Sequence, residues 1–392
     1  MNIFFFHLMP YGPADARAIE KAGSAWVKLP NSEYDPKLGT AIYERYLGEM
    51  ALADELGFDG VCANEHHQTA YGLMPAPNLI AAALTRTTKN AKIAVLGRAL
   101  PLVSNPVAVA EEFAMIDQMS GGRLVTGFVR GIGSEYFATP VDPTLSHERY
   151  YEAHDLILQA WTRTGPFRYH GKHYQFDYVN IWPRPLQEPH PPVWVPSQGS
   201  IETIEWCAAK ERKYTYLQTF SPMALAEKNF ATYREIAQSQ GYEASPSQLG
   251  WAIPTYVAET DEIARKELQP HVEFFFNYLL RSDIEMRMPP GYSSINTTKK
   301  LIEQKFAVRS TQQTIDKLIE LGIIICGSAK TVRETYIERC KRNAIGNILP
   351  MLQVGSQPAE QTEKSIRLFA SDVMPHLRAE FGDASGNKVA AE

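Results

Sequence analysis

Short, almost continuous apolar runs at 2–6, 60–64, 91–100 and 123–129 alternate with segments at 40–56, 78–87 and 106–119 that carry apolar residues at three- and four-residue spacing. A strand that is apolar at every position is buried on both faces, and strands separated by single helices pair in parallel with those helices covering them. The pattern predicts an α/β chain of repeated βα units, four of them in about the first 130 residues. After a helix at 146–162 the alternation continues, with strands at 192–196, 214–219, 250–257 and 347–354 and helices at 200–210, 223–240, 312–322, 331–342 and 359–381. Eight such strands predict a (β/α)8 barrel with inserted loops. No linker or repeat divides the chain, so 1–381 is expected to form a single domain; the aromatic, proline-rich stretch 165–190 is an insert, hairpin or loop, and 382–392 a flexible tail.

The 392 residues, 44% apolar and 21% charged, suffice for a large core. A net charge of -5 provides no general basic field, which disfavours nucleic acid and acidic membrane surfaces and favours a small-molecule substrate. Cys62, Cys207, Cys326 and Cys340 have neither zinc-ribbon nor disulfide-framework spacing, as expected of a cytoplasmic protein. The apolar run near Met1 lacks a basic region before it and reads as a first strand instead of a signal peptide. No window approaches the roughly 18 apolar residues of a membrane span.

Three stretches carry chemistry. The second strand ends in Glu65-His66-His67, and in a parallel barrel that end faces the active site. His66 reads as a proton-handling group and His67 as a cap bonded at the barrel mouth. A metal on both imidazoles requires the chain to turn there, because adjacent strand residues point to opposite faces. The fourth strand runs into Arg130-Gly131, a fork-shaped donor followed by a residue that permits close backbone approach, suited to a phosphate; pairing of Arg130 with Glu135 is the alternative. The fifth strand leads to Gly199-Ser200 at a helix start, with Thr203 a turn further on, either an anion site or an ordinary N-cap. Arg130 and Ser200 together favour a phosphate between the fourth and fifth strand ends.

The runs GFDGVCANEHH, SNPVAVAEEFAMIDQMSGGRLVTGFVRG and PVWVPSQGSIETIEW, in this order, resemble the bacterial luciferase-like family of flavin-dependent monooxygenases, which are TIM barrels. The resemblance implies that His66 stands beside a flavin ring as the catalytic histidine. It implies that Arg130, Gly131, Gly199, Ser200 and Thr203 bind the phosphate of FMN, with Tyr150 nearby, and that Leu96 and Gly97 occupy the place of a non-proline cis peptide under the flavin. Residues 282–300, with the stiff run Met288-Pro289-Pro290-Gly291, correspond to a lid. His7, Glu65 and Arg98 are candidate substrate contacts, and no metal is expected. Val129 stands where luciferase has a cysteine, so light emission is not expected.

The resemblance further implies reduced FMN delivered by a separate NAD(P)H:flavin reductase, O2 as co-substrate, oxygenation of a small organic substrate through a peroxyflavin, and a homodimer or homotetramer. No Gly-x-Gly-x-x-Gly fingerprint follows the first strand, consistent with a protein that does not itself hold NAD. Three other readings remain open on the residues: a deazaflavin-dependent oxidoreductase on the same barrel, a metal-dependent hydrolase built on Glu65, His66 and His67, and a non-catalytic flavin-binding subunit.

Overall fold

The computed structural model describes residues 1–293 and 312–382. Eight parallel strands close into a barrel: β1 (Asn2–Phe6), β2 (Gly60–Ala63), β3 (Lys92–Ala99), β4 (Leu124–Val129), β7 (Val193–Ser197), β8 (Thr215–Thr219), β9 (Leu249–Ala258) and β11 (Asn347–Met351), with β11 pairing back onto β1. Each pairs with its neighbour in parallel, from Phe4 opposite Gly60 round to Asn347 opposite Gly250. The strands are apolar throughout because they pack on two sides. Phe4, Cys62, Ala94, Val125, Trp194, Leu217, Ala252 and Leu349 fill the lumen. Their chain neighbours Ile3, Val61, Ile93, Leu124 and Val193 pack against the helices. Phe4 and Trp194 meet within the lumen with ring centroids 4.9 Å apart.

The helices cover the sheet. They include α1 (Ala16–Ala22), α2 (Pro36–Glu55), α3 (Pro77–Thr87), α4 (Pro106–Ser120), α5 (Ser146–Thr162), α6 (Ile201–Ala208), α7 (Met223–Ser239) and α8 (Asp261–Phe274). α4 shows how the sequence sets its ends: Asn105 caps the Ala108 amide at 3.1 Å, Pro106 opens the first turn, and Gly121 closes the last with φ +69°. α2 begins at Pro36, four residues earlier than its apolar spacing indicated, because Asp35 accepts from the Lys37 amide at 2.8 Å and starts the helix ahead of its apolar face.

The insert is a two-stranded antiparallel hairpin, β5 (Phe167–His170) with β6 (Gln175–Val179). Three expectations need correction. The short strand β10 (Ile325–Ser328), which the sequence reading passed over between two helices, pairs with the end of β9 at Thr255–Ala258, beyond the part of β9 that closes the barrel. The stretch between the first strand and the helix expected from residue 40, where no element was expected, contains α1, capped by Asp15. The last helix is not continuous: a wider turn at Phe369–Val373 separates Ala359–Leu368 from Met374–Phe381, where Pro375 has no amide to donate. Of the expected lid, 282–293 is described and 294–300 lies outside the described residues, as does the tail from 383.

Candidate functional site

The carboxyl ends of β1–β4, β7 and β8 bring together most of the residues singled out above. His66 follows β2 with its Nδ1 3.3 Å from Glu135 Oε1. Its ring stands edge-on to Trp26 and Tyr71, at centroid distances of 5.3 and 4.9 Å. Nε2 has no hydrogen-bond partner among the described residues. Glu135, nearly inaccessible, also accepts from the Ile132 amide at 2.7 Å, which fixes the carboxylate that orients the imidazole. An aromatic wall continues from Tyr71 to Phe275, Phe220 and Phe6, each ring within 6.3 Å of the next.

His67 turns the other way. Its Nε2 is 2.8 Å from Glu65 Oε1, while Glu65 Oε2 takes the Arg98 guanidinium at 2.7 Å and the Ala99 amide at 3.0 Å. Burial alone would raise the Glu65 carboxyl, but the His67 bond, the Arg98 charge and the Ala99 amide together hold it below the usual range. The Glu65 bond lifts His67 above its ordinary value despite the opposing effect of burial. Glu65, His67 and Arg98 line a cavity of about 310 Å³ with Ala108, Val109 and Glu112 of α4, so they stand on the helix side of the strand ends. The imidazoles of His66 and His67 thus engage different carboxylates, and among the described residues no group of three acidic, histidine or cysteine side chains is arranged to hold a metal.

His7 is fully buried and both of its nitrogens are engaged, Nδ1 accepting from the Met9 amide at 2.8 Å and Nε2 lying 2.9 Å from Glu49. It leaves no polar atom to meet a substrate. Burial pushes its pKa down, and the accepting Nδ1 gives a neutral ring that donates from Nε2.

Arg130 leaves β4 and donates from Nη1 to Ser146 Oγ at 3.2 Å and to the Tyr292 carbonyl at 3.0 Å, with the Tyr292 ring 4.3 Å from its guanidinium carbon. The alternative pairing with Glu135 is not what forms, because that carboxylate is taken by His66 and by the backbone. Gly131, at φ +83°, offers its carbonyl to the Tyr292 hydroxyl at 2.6 Å. The described part of the expected lid therefore rests on the segment after β4. A Cβ on Gly133 would fall 2.0 Å from the Arg287 carbonyl, so only glycine permits that contact. Tyr150 is buried, its hydroxyl 3.3 Å from the Phe128 carbonyl, and it faces the core of α5 instead of solvent.

β7 is hydrogen-bonded to β4, Gly127 opposite Trp194, which sets the start of α6 beside the end of β4. Gly199 has φ +104°, and a Cβ there would meet the Asn229 amide nitrogen at 2.3 Å, so only glycine makes this turn. Ser200 precedes α6 without capping it; its hydroxyl donates to Glu202 at 2.6 Å. Thr203 lies in the first turn of α6. The first-turn amides and the helix dipole make this end attractive to an anion. The Leu96–Gly97 peptide bond is cis, where the resemblance implied one, and the pairing of β3 with β4 shifts register between Val95 and Arg98. Four neighbours of these residues were not among the sequence candidates: Glu135 against His66, Tyr292 against Arg130, Glu202 against Ser200, and His147 near Arg130 and Glu202; of these Glu135 and Glu202 had a sequence signal, through their spacing to Arg130 and Ser200.

A parallel (β/α)8 barrel with a histidine past the end of β2 and an arginine past the end of β4, beside the helix that follows β7, has the architecture in which enzymes build their sites at the carboxyl ends of the strands. The chain matches the luciferase-like monooxygenase family over residues 31–344, and it belongs to that family. It is 29% identical over 272 residues to the alkanal monooxygenase beta chain of Vibrio harveyi, covering 68% of this chain and 81% of that one. Its fold is that of the oxygenating constituent of 3,6-diketocamphane monooxygenase from Pseudomonas putida in complex with FMN, with TM-score 0.73 at 18% identity over 96% of this chain and 98% of the other. An F420-dependent secondary alcohol dehydrogenase superposes with TM-score 0.66 at 16% identity over 96% and 99%.

Proposed function

We propose that the protein is a flavin-dependent monooxygenase that uses reduced FMN supplied by a separate NAD(P)H:flavin reductase, together with O2, to oxygenate a small organic substrate. The observation that carries this reading is the adjacency of Arg130 at the end of β4 to the Ser200-led start of α6 after β7, a forked cation beside the first-turn amides of a helix. The donor set fits a flavin phosphate. Two buried acceptors at strand ends, Asn64 Oδ1 and Gln353 Oε1, have no partner among the described residues and suit a ligand that carries N–H groups. Reduced flavin, when bound, supplies the electrons that activate oxygen. Support for the reductase comes from the P. putida neighbour, described as the oxygenating constituent of its system.

The chain's own contribution is binding, dryness and proton control. Arg130, Ser200 and Thr203 would hold the phosphate, while Gly131 and Gly199 would let the backbone approach it. Leu96 and Gly97, joined by the cis peptide, would support the ring, and the wall of Tyr71, Phe275, Phe220 and Phe6 would keep water out. His66, turned by Glu135 at Nδ1, holds or moves a proton at Nε2.

The deazaflavin reading rests on the alcohol dehydrogenase neighbour and separates cleanly by ligand. Fluorescence titration with FMN, riboflavin and the deazaflavin is expected to show the FMN preference that a phosphate site gives; tighter binding of the deazaflavin would overturn it. In oxygen-consumption assays with reduced FMN, His66→Ala is expected to lower coupled turnover by about 100-fold with flavin affinity unchanged. Unaltered turnover would remove His66 from the mechanism.

A further inference from the structure

The start of α6 already holds an anion of its own. Ser200 is placed to cap the helix, yet its hydroxyl donates to Glu202 Oε2 at 2.6 Å and accepts nothing from the first-turn amides. The Ser200 hydroxyl and the Glu202 amide itself, followed by His147 and Arg130, hold this carboxyl below its ordinary range. Glu202 is exposed, so its side chain is free to leave toward solvent. His147 in turn is depressed by burial and by Arg130, with Glu202 opposing, so the four groups share one electrostatic neighbourhood.

We propose that Glu202 competes with the flavin phosphate for the Ser200 hydroxyl and for its own amide in the first turn of α6, and so sets how tightly a phosphate-bearing flavin is held. This rests on the phosphate assignment made above. A hydroxyl has one proton and an amide one hydrogen, so the carboxylate and a phosphate oxygen cannot both take them. Two anions at one helix end also repel. Phosphate therefore enters only as Glu202 swings out, and Glu202 returning assists release. That suits a protein that takes reduced flavin from another enzyme and must give up the oxidised form with the same phosphate after each turnover. Riboflavin, without the phosphate, has no such competitor.

The test is equilibrium and stopped-flow binding of oxidised FMN and of riboflavin to the full-length wild type, Glu202→Gln and Glu202→Ala. Both variants are expected to bind FMN about fivefold to tenfold more tightly and to release it more slowly by a similar factor, with riboflavin affinity unchanged. If the wild type prefers FMN to riboflavin but neither variant tightens FMN binding, the competition is refuted and the phosphate site stands. If the wild type binds FMN no better than riboflavin, the phosphate assignment fails and this inference with it.

Discussion

At the scale of single residues, the charged groups at the strand ends engage one another in separate sets: Glu135 with His66, Glu65 with His67 and Arg98, and Arg130 with Ser146 and the Tyr292 carbonyl. Arg130 is the forked cation of the proposed phosphate site, and charge-assisted contacts of this kind contribute about 2–3 kcal/mol. Arg130→Ala is expected to weaken FMN binding by about 30- to 100-fold while leaving riboflavin binding alone, and Arg130→Lys to recover only part, since an ammonium lacks the fork. Isothermal titration with both flavins checks this; equal losses for the two would point to damage elsewhere. The pair Glu65 and His67 makes a separate prediction. His67, raised in the fold, stabilises fully below its unfolded value of about 6.5, and this is lost as pH rises through its folded value. Glu65, lowered, stabilises above its unfolded value of about 4.3, and this is lost as pH falls through its folded value. The urea midpoint is therefore expected to decline from about pH 6.5 upward in the wild type, and His67→Gln to remove that decline while keeping the acid limb.

At the scale of elements, α4 and α5 show why the helix layer is specific. Trp161 at the end of α5 is 1% exposed, packs on Phe113 and Phe128, and donates from its indole to the Ala110 carbonyl at 2.9 Å. Trp161→Ala removes both the packing and the donor and is expected to cost about 3–5 kcal/mol, read from denaturant unfolding with the slope unchanged. A loss under 1 kcal/mol would show that the helix pair relaxes into the space. The hairpin β5–β6 is tied down differently, through Glu152 of α5, which accepts the His173 and Tyr174 amides at 3.0 and 2.9 Å. Burial adds to this: Tyr174, Val179 and Ile181 are buried in the same cluster as α5, while Trp182 just beyond them is 83% exposed.

At the scale of the molecule, barrel closure couples the two ends of the chain. β1 pairs with β11, and the Met1 amino group donates to the Gly382 carbonyl at 2.8 Å, so the first and last elements complete each other. We read the barrel, its insert and its late helices as one cooperative unit. Tryptophan fluorescence and far-ultraviolet circular dichroism are expected to report coincident unfolding transitions. Two separated transitions would divide the chain into independently stable parts.

The alternation of apolar runs with helical spacing was enough to read the barrel, because burial on both faces leaves so direct a mark on strand composition. The positions of His66, Arg130 and Ser200, each just past a strand whose carboxyl end faces the mouth, could be read in the same way. What the residues alone left open was pairing. Whether Arg130 would meet Glu135, and which imidazole would meet which carboxylate, depends on contacts between segments distant in sequence, such as 66 with 135 and 130 with 292. Four-residue β10 was illegible for a related reason: it is a strand only because the end of β9 supplies its partner. Period and composition are local and could be read from the chain. The burial of His7, the turn of Arg98 toward α4 and the seating of Glu202 on the first turn of α6 were decided only when the barrel closed, because hydrogen bonds and charges are satisfied by whatever tertiary packing brings within reach.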